Sequence, residues 1–254
     1  MSINACAALV ERGDPDRFLA AMAAPAEVRG RLFVLYAFNL EVARAPWMTK
    51  EPMIAEMRLQ WWRDVIEEIA KGGPVRAHEV STPLAEVVVE TGLDPVVLDQ
   101  MVEARRWDIY KETFDDDAQL FDYLEKTGGG LMWASAFALG APKDREADIR
   151  KVGRASALAS WFMAVPDLEA RGWAPLPDGR PEAVAALAKA ALADLSGVKG
   201  SFGTAAPALR AAWRAKAILG QAAREPLRVA EGSLGTSEFQ RRAGLVWRTL
   251  RGTW

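Results

Sequence analysis

The sequence predicts an all-α fold, a single bundle of many helices. Apolar residues recur at helical spacing almost throughout. Alanine, the best helix former, dominates, most densely between Pro181 and Ala223. No run of alternating β-branched residues is long enough for a sheet. The best strand candidate, Val87-Val88-Val89, sits between Pro83 and Gly92 in a pattern a helix also accommodates. With 254 residues, 50% of them hydrophobic, the chain can bury a sizeable core. One domain over residues 1–254 is expected.

The elements are punctuated by proline, glycine and aspartate. Pro25 and Glu27 open a helix that runs to about Ala45 and stops at Pro46. On it Phe33, Tyr36, Ala37, Leu40 and Arg44 share a broad face, and Asn39, Ala43 and Trp47 form the adjoining stripe. Pro52 opens a second helix that closes at Gly72-Gly73. Asp94 caps a third, with Pro95 at its first position, and it runs to about Thr113. Asp115, Asp116 and Asp117 cap a helix entering residues 121–126. Asp144 caps a long segment from about Arg145 to Ala170. Residues 172–181 are turn chemistry, and three or four shorter, Ala-rich helices after Pro181 complete the bundle.

Composition removes several chemistries. Lys and Arg total 32 against 34 Asp and Glu, so no basic excess suggests nucleic-acid binding. One cysteine, Cys6, excludes an internal disulfide and a Cys-based zinc site. One histidine, His78, excludes His-pair metal motifs. Gly128-Gly129-Gly130 lacks the Lys-Ser/Thr and the preceding strand of a phosphate loop. The longest low-charge stretch, residues 127–142, is too short to span a bilayer. Glu11 and Arg12 arrive too early for a signal peptide. The expected location is cytoplasmic.

Individual residues read as follows. Asp115, Asp116 and Asp117 are adjacent, so their carboxylates diverge on a helix; they suit a cap better than a cation. His78, in a Gly/Pro-flanked loop, is expected in solvent. Cys6 is expected to be a small buried or frayed apolar residue. Residues 238–254 mix Arg241, Arg242, Arg248 and Arg251 with Leu245, Val246, Trp247 and Leu250. Such a helix either lies on an anionic membrane surface, possible here as a peripheral contact with the inner membrane, or buries its stripe on its own domain.

Several segments in fixed order carry a family resemblance. They are DPDRFLAAMAAPAEVRGRLFVLYAFNLEVA from Asp14, MRLQWWRDVIEEI from Met57, and EARRWDIYKETFDDDAQLFDYLEKTGGGLMWASAFALG from Glu103. A fourth runs from Gly153 to a "GRxYLP"-like end that keeps Gly172, Leu176 and Pro177. Over residues 14–180 the chain resembles the squalene/phytoene synthase family. The resemblance implies the isoprenoid synthase type of helical bundle, with a central cavity. In active members two Asp-rich motifs on facing helices hold Mg²⁺ ions that activate a prenyl diphosphate. Here the first motif reads Ala43, Arg44 and Trp47. The second reads Met163, Ala164, Asp167 and Leu168, with Pro166 interrupting its helix.

The chain is most similar to the branch that assists assembly of mitochondrial respiratory complex I, whose members also lack these motifs. The resemblance thus implies a non-catalytic protein that acts by binding, without a cofactor, with respiratory-complex subunits as partners. One alternative is a prenyltransferase with an atypical Mg²⁺ site; another is an isoprenoid-lipid binding protein. No catalytic residue and no metal ligand set is assigned. The candidate cavity-lining residues are Tyr36, Asn39, Ala43, Arg44, Trp47, Asp108, Ser160, Trp161, Ala164 and Asp167. Asp108 is either a polar cavity residue or an ion-pair partner of Arg105 or Lys111. Arg44 either offers a counter-charge to a phosphate or carboxylate, pairs with Glu41, or snorkels to the surface. Most tryptophans suit the core; Trp161, among Ala157, Ser160 and Ala164, is the candidate to border the old site.

Overall fold

The computed structural model describes residues 3–254, the side chain of Arg241 excepted. Among them every regular element is a helix. In chain order these are α1 (Ile3–Gly13), α2 (Pro15–Met22), α3 (Ala26–Arg44), α4 (Pro52–Ala70), α5 (Ser81–Thr91) and α6 (Pro95–Ala104). Then follow α7 (Arg106–Tyr110), α8 (Asp117–Leu124), α9 (Gly130–Ala138), α10 (Glu146–Ala170) and α11 (Pro181–Gly197). The chain closes with α12 (Ala206–Leu209), α13 (Ala215–Arg224), α14 (Leu227–Ala230) and α15 (Glu238–Leu250).

The central helix is α3. Every residue from Leu32 to Leu40 is buried, so it is apolar all round and must be surrounded. Helices α1, α2, α5 and α9 surround it. The second axis is α10, against which α9, α11 and α13 pack. One continuous apolar core joins the two.

The caps follow the sequence. The Asp94 carboxylate accepts from the Val96 amide at 3.0 Å, and that of Asp116 from the Gln119 amide at 2.8 Å. The valine run lies inside helix α5, with Val87 and Val88 buried. Four expectations are corrected. The helix from Pro95 stops at Ala104 and resumes as α7, which ends where Lys111 adopts a left-handed φ of 55°. No side-chain bond from Asp144 caps α10, which starts at Glu146 after a tight turn over Lys143–Arg145. Pro166 does not interrupt α10, which runs on to Ala170. It costs one backbone bond, but buried Val165 and Leu168 hold the last turns on the core. The segment after Pro181 also opens with a long helix, α11.

The three glycines serve packing. Between α8 and α9 the backbone makes a widened turn over Glu125–Gly129, where the Gly130 amide bonds the Glu125 carbonyl five residues back. This turn lies backbone-to-backbone on α10. A Cβ at Gly153 would sit 2.5 Å from the Gly128 carbonyl oxygen and 2.8 Å from the Gly129 Cα. Only glycine permits that approach.

Candidate functional site

Short helix α7 points Asp108 into the protein, where it is 3% exposed. The Tyr123 hydroxyl on α8 donates to its Oδ1 at 2.8 Å, and Arg105 Nη1 lies 3.3 Å from its Oδ2. Arg105 Nη1 also donates to the Tyr123 hydroxyl oxygen at 2.6 Å. The three groups thus close a buried polar triangle. Burial pushes the Asp108 carboxyl above its ordinary value, while Arg105 and Tyr123 pull it back. Burial likewise holds the Tyr123 phenol neutral, its pKa well above 10. Its proton is already committed to Asp108, so Tyr123 is no base at neutral pH.

An aromatic cluster covers the triangle. Tyr123 and Trp161 meet edge-to-face with centroids 5.3 Å apart, and Trp107 stacks on Phe114 at 4.8 Å. Trp161 meets Trp173 at 5.9 Å, and Trp173 meets Trp47 at 5.3 Å. The polar edges are satisfied locally. Trp161 Nε1 donates to the Pro175 carbonyl at 2.8 Å, and Trp107 and Trp173 both donate to the Glu112 carbonyl, at 3.0 and 3.3 Å. Beside this cluster, α6, α7 and α8 border an open cleft of about 570 Å³. Trp107, Phe114 and Tyr123 line it, with Glu103, Asp122 and Lys126 among its polar walls.

The ten candidate residues separate into groups. Trp47, Trp161 and Asp108 are brought into one connected set through Trp173 and Tyr123. Tyr36 and Asn39 are buried inside the core instead, at 2% and 7% exposure. The Tyr36 ring lies under the Arg17 guanidinium at 5.9 Å, and burial raises its phenol pKa. Ala43 and Ala164 are half-buried; Ser160 and Asp167 are exposed. Arg44 is exposed and its guanidinium lies over Gly13 of α1, so of its three readings the structure favours snorkelling. Asp108 pairs with Arg105 and not with Lys111. His78 is not in free solvent: it stands edge-on to Trp61 and Trp62, and its Nδ1 accepts from the Val80 amide at 3.2 Å. Tyr123 and Phe114 were not singled out by sequence reasoning, and Trp173 only as one of the tryptophans assigned to the core. The Tyr123-to-Thr127 register, one helical turn ahead of the glycines, was the available signal.

The donor set does not suit Mg²⁺. Where the resemblance expects the first carboxylates stand a methyl group, an exposed guanidinium and an indole packed on Trp173. The second position keeps one exposed carboxylate, Asp167. Hard divalent ions need several oxygen ligands converging on one point. Among the described residues no group of three or more His, Cys, Asp or Glu side chains converges in that way.

The squalene/phytoene synthase family model matches residues 10–248. The chain belongs to the squalene/phytoene synthase family. A solved dehydrosqualene synthase in complex with ligand superimposes with a TM-score of 0.79 over 98% of this chain and 96% of that one, at 14% identity. Squalene synthase HpnC from Alicyclobacillus acidocaldarius gives a TM-score of 0.61 over 98% and 94%, at 15% identity. These likenesses establish the isoprenoid synthase type of bundle. Among relatives by sequence, a protein named NADH dehydrogenase (ubiquinone) complex I, assembly factor 6, from Homo sapiens is 28% identical over 163 residues, 63% of this chain and 48% of its own length. Its Drosophila melanogaster homolog is 31% identical over 168 residues, 63% of this chain and 50% of its own. The chain thus spans about half the length of the curated relatives it matches.

Proposed function

We propose that this protein is a non-catalytic member of the squalene/phytoene synthase family that acts by binding, in the assembly of respiratory complex I. The carrying observation is the loss of the first carboxylate set, and of all but Asp167 in the second, from a fold otherwise kept end to end. Diphosphate departure from a prenyl chain needs positive charge held opposite the leaving group. Ala43, Trp47, Ala164 and Leu168 offer no ligand for a cation that would supply it, so the proposal includes no resident metal. The relatives named as complex I assembly factors support the choice of role. Respiratory-complex subunits are the proposed partners, met in the cytoplasm at the inner membrane. Among the described residues no helix is long and apolar enough to cross a membrane.

Two measurements test the reading. Purified protein with farnesyl or geranylgeranyl diphosphate and Mg²⁺ is expected to release no diphosphate. Release with a coupled product would establish the prenyltransferase alternative instead. Deleting the gene in its host is expected to lower the amount of assembled complex I, and unchanged assembly would remove the proposed role.

A further inference from the structure

Helix α15 turns the wrong face outward for a helix that merely completes a bundle. Leu245 of this helix is 7% exposed, and just past its end Trp254 meets Phe202 at 5.9 Å and Arg210 Nε donates to the Thr253 carbonyl at 3.0 Å. Ser237 and Gln240 close a capping box at its start. The helix is therefore capped at its start and tied to the fold through Leu245 and the residues that follow it.

On the opposite side Phe239 is 81% exposed, Leu250 78%, Val246 57% and Trp247 56%. At 100° per residue these four fall within about 100° of arc. Arg242, ion-paired with Glu238 at 2.8 Å, borders the arc on one side, and Arg251 on the other. The Arg251 guanidinium lies 4.0 Å from the Trp247 ring centroid, with its charge at the edge of the apolar stripe. A globular surface normally scatters its exposed apolar side chains singly. Here they form one stripe flanked by arginines, the arrangement that seats a helix between acyl chains and anionic headgroups. The charge is local. The chain carries a net −2, yet from residue 238 onward Glu238 is the single acid against Arg241, Arg242, Arg248 and Arg251.

We infer that the exposed face of α15 is a docking surface for an anionic lipid bilayer. Phe239, Val246, Trp247 and Leu250 enter the interface, and Arg242 and Arg251 meet lipid phosphates. This deepens the location given in the proposed function but needs neither the complex I role nor the absence of catalysis. A negative vesicle result leaves the diphosphate-release and gene-deletion tests standing, and the reverse holds.

Flotation of the full-length protein is the test. The probes are vesicles of phosphatidylcholine alone and of equimolar phosphatidylcholine and phosphatidylglycerol. The protein is expected to float with the anionic vesicles at low salt and to detach at high salt. Replacing Arg242 and Arg251 with Gln should weaken binding by about 5-fold per arginine. Phe239→Glu with Trp247→Glu and Leu250→Glu should abolish it with the melting temperature and far-ultraviolet spectrum unchanged, because these side chains touch little of the fold. Failure of the wild-type protein to float with anionic vesicles would overturn the inference, even if α15 bound a protein instead. Flotation unaffected by the triple substitution would overturn it equally.

Discussion

Removing the Asp108 carboxylate should expose how the polar triangle is balanced. In Asp108→Ala, Arg105 keeps its bond to Tyr123 but loses the carboxylate it is paired with, in a place where its side chain is 16% exposed. The Tyr123 hydroxyl loses its acceptor at 2.8 Å. Breaking a buried pair from one side costs about 3–5 kcal/mol, because the surviving charge stays desolvated. For a chain of this size that lowers the melting temperature by about 6–20 °C. Denaturant titration and thermal melts read both quantities. The triple variant Arg105→Met, Asp108→Leu, Tyr123→Phe removes every polar member at once and should recover most of the loss. Asp108→Asn keeps an acceptor for Tyr123 and should cost less than alanine. Burial raises the Asp108 pKa, so the fold favours its protonated form. The stabilisation from that proton is full below the unfolded value of about 3.9 and is lost as pH rises through the raised one. The stability gap between wild type and Asp108→Asn should shrink in that direction and over that window. An alanine cost below about 1 kcal/mol would refute the buried-pair argument, as would a triple variant no more stable than the single.

Three other outcomes follow from the packing. Cys6 is fully buried and its thiol is pushed up to about 11, so at pH 8 its thiolate is scarce. Labelling by a thiol reagent should be at least about 100-fold slower in the native protein than in denaturant; comparable rates would mean α1 opens freely. Gly153→Ala should cost about 1–3 kcal/mol or more, since its methyl meets backbone on the facing turn; a neutral effect in chemical denaturation would contradict the contact. Trp161→Phe keeps the ring against Tyr123 but loses the bond to the Pro175 carbonyl. It should cost about 1 kcal/mol, while Trp161→Ala should cost about 3–5.

The fold was legible because its punctuation is local. Proline at Pro52 and Pro95, and the acids at Asp94 and Asp116, mark helix starts by chemistry that acts within one turn. The break at Ala104 was not legible, since residues 95–113 keep helical spacing throughout. The candidate site was legible in part. Trp47, Trp161 and Asp108 were found, but Trp173 and Phe114 lie in irregular segments where no period predicts a direction. Arg44 shows the opposite limit. Its position on α3 was right, yet a long flexible side chain at a helix end is placed by what lies nearby, here Gly13. The glycine run was read only for what it was not. Its use depends on Gly153, distant in sequence, which no local pattern announces.

The widened turn at Glu125–Gly129 fixes a phase. One surplus residue per turn sets α8 and α9 out of step by about 100°, so Tyr123 faces Asp108 while Met132 faces Gly153. Deleting one residue there would restore regular winding and leave the length almost unchanged. Both flanks would keep their faces, Tyr123 toward Asp108 and Met132 toward Gly153, because the widened turn holds the extra residue inside one full rotation. Keeping every residue but winding the turn regularly would instead rotate α8 by about 100° and carry Tyr123 out of the triangle. At this place the fold stores one residue as angle.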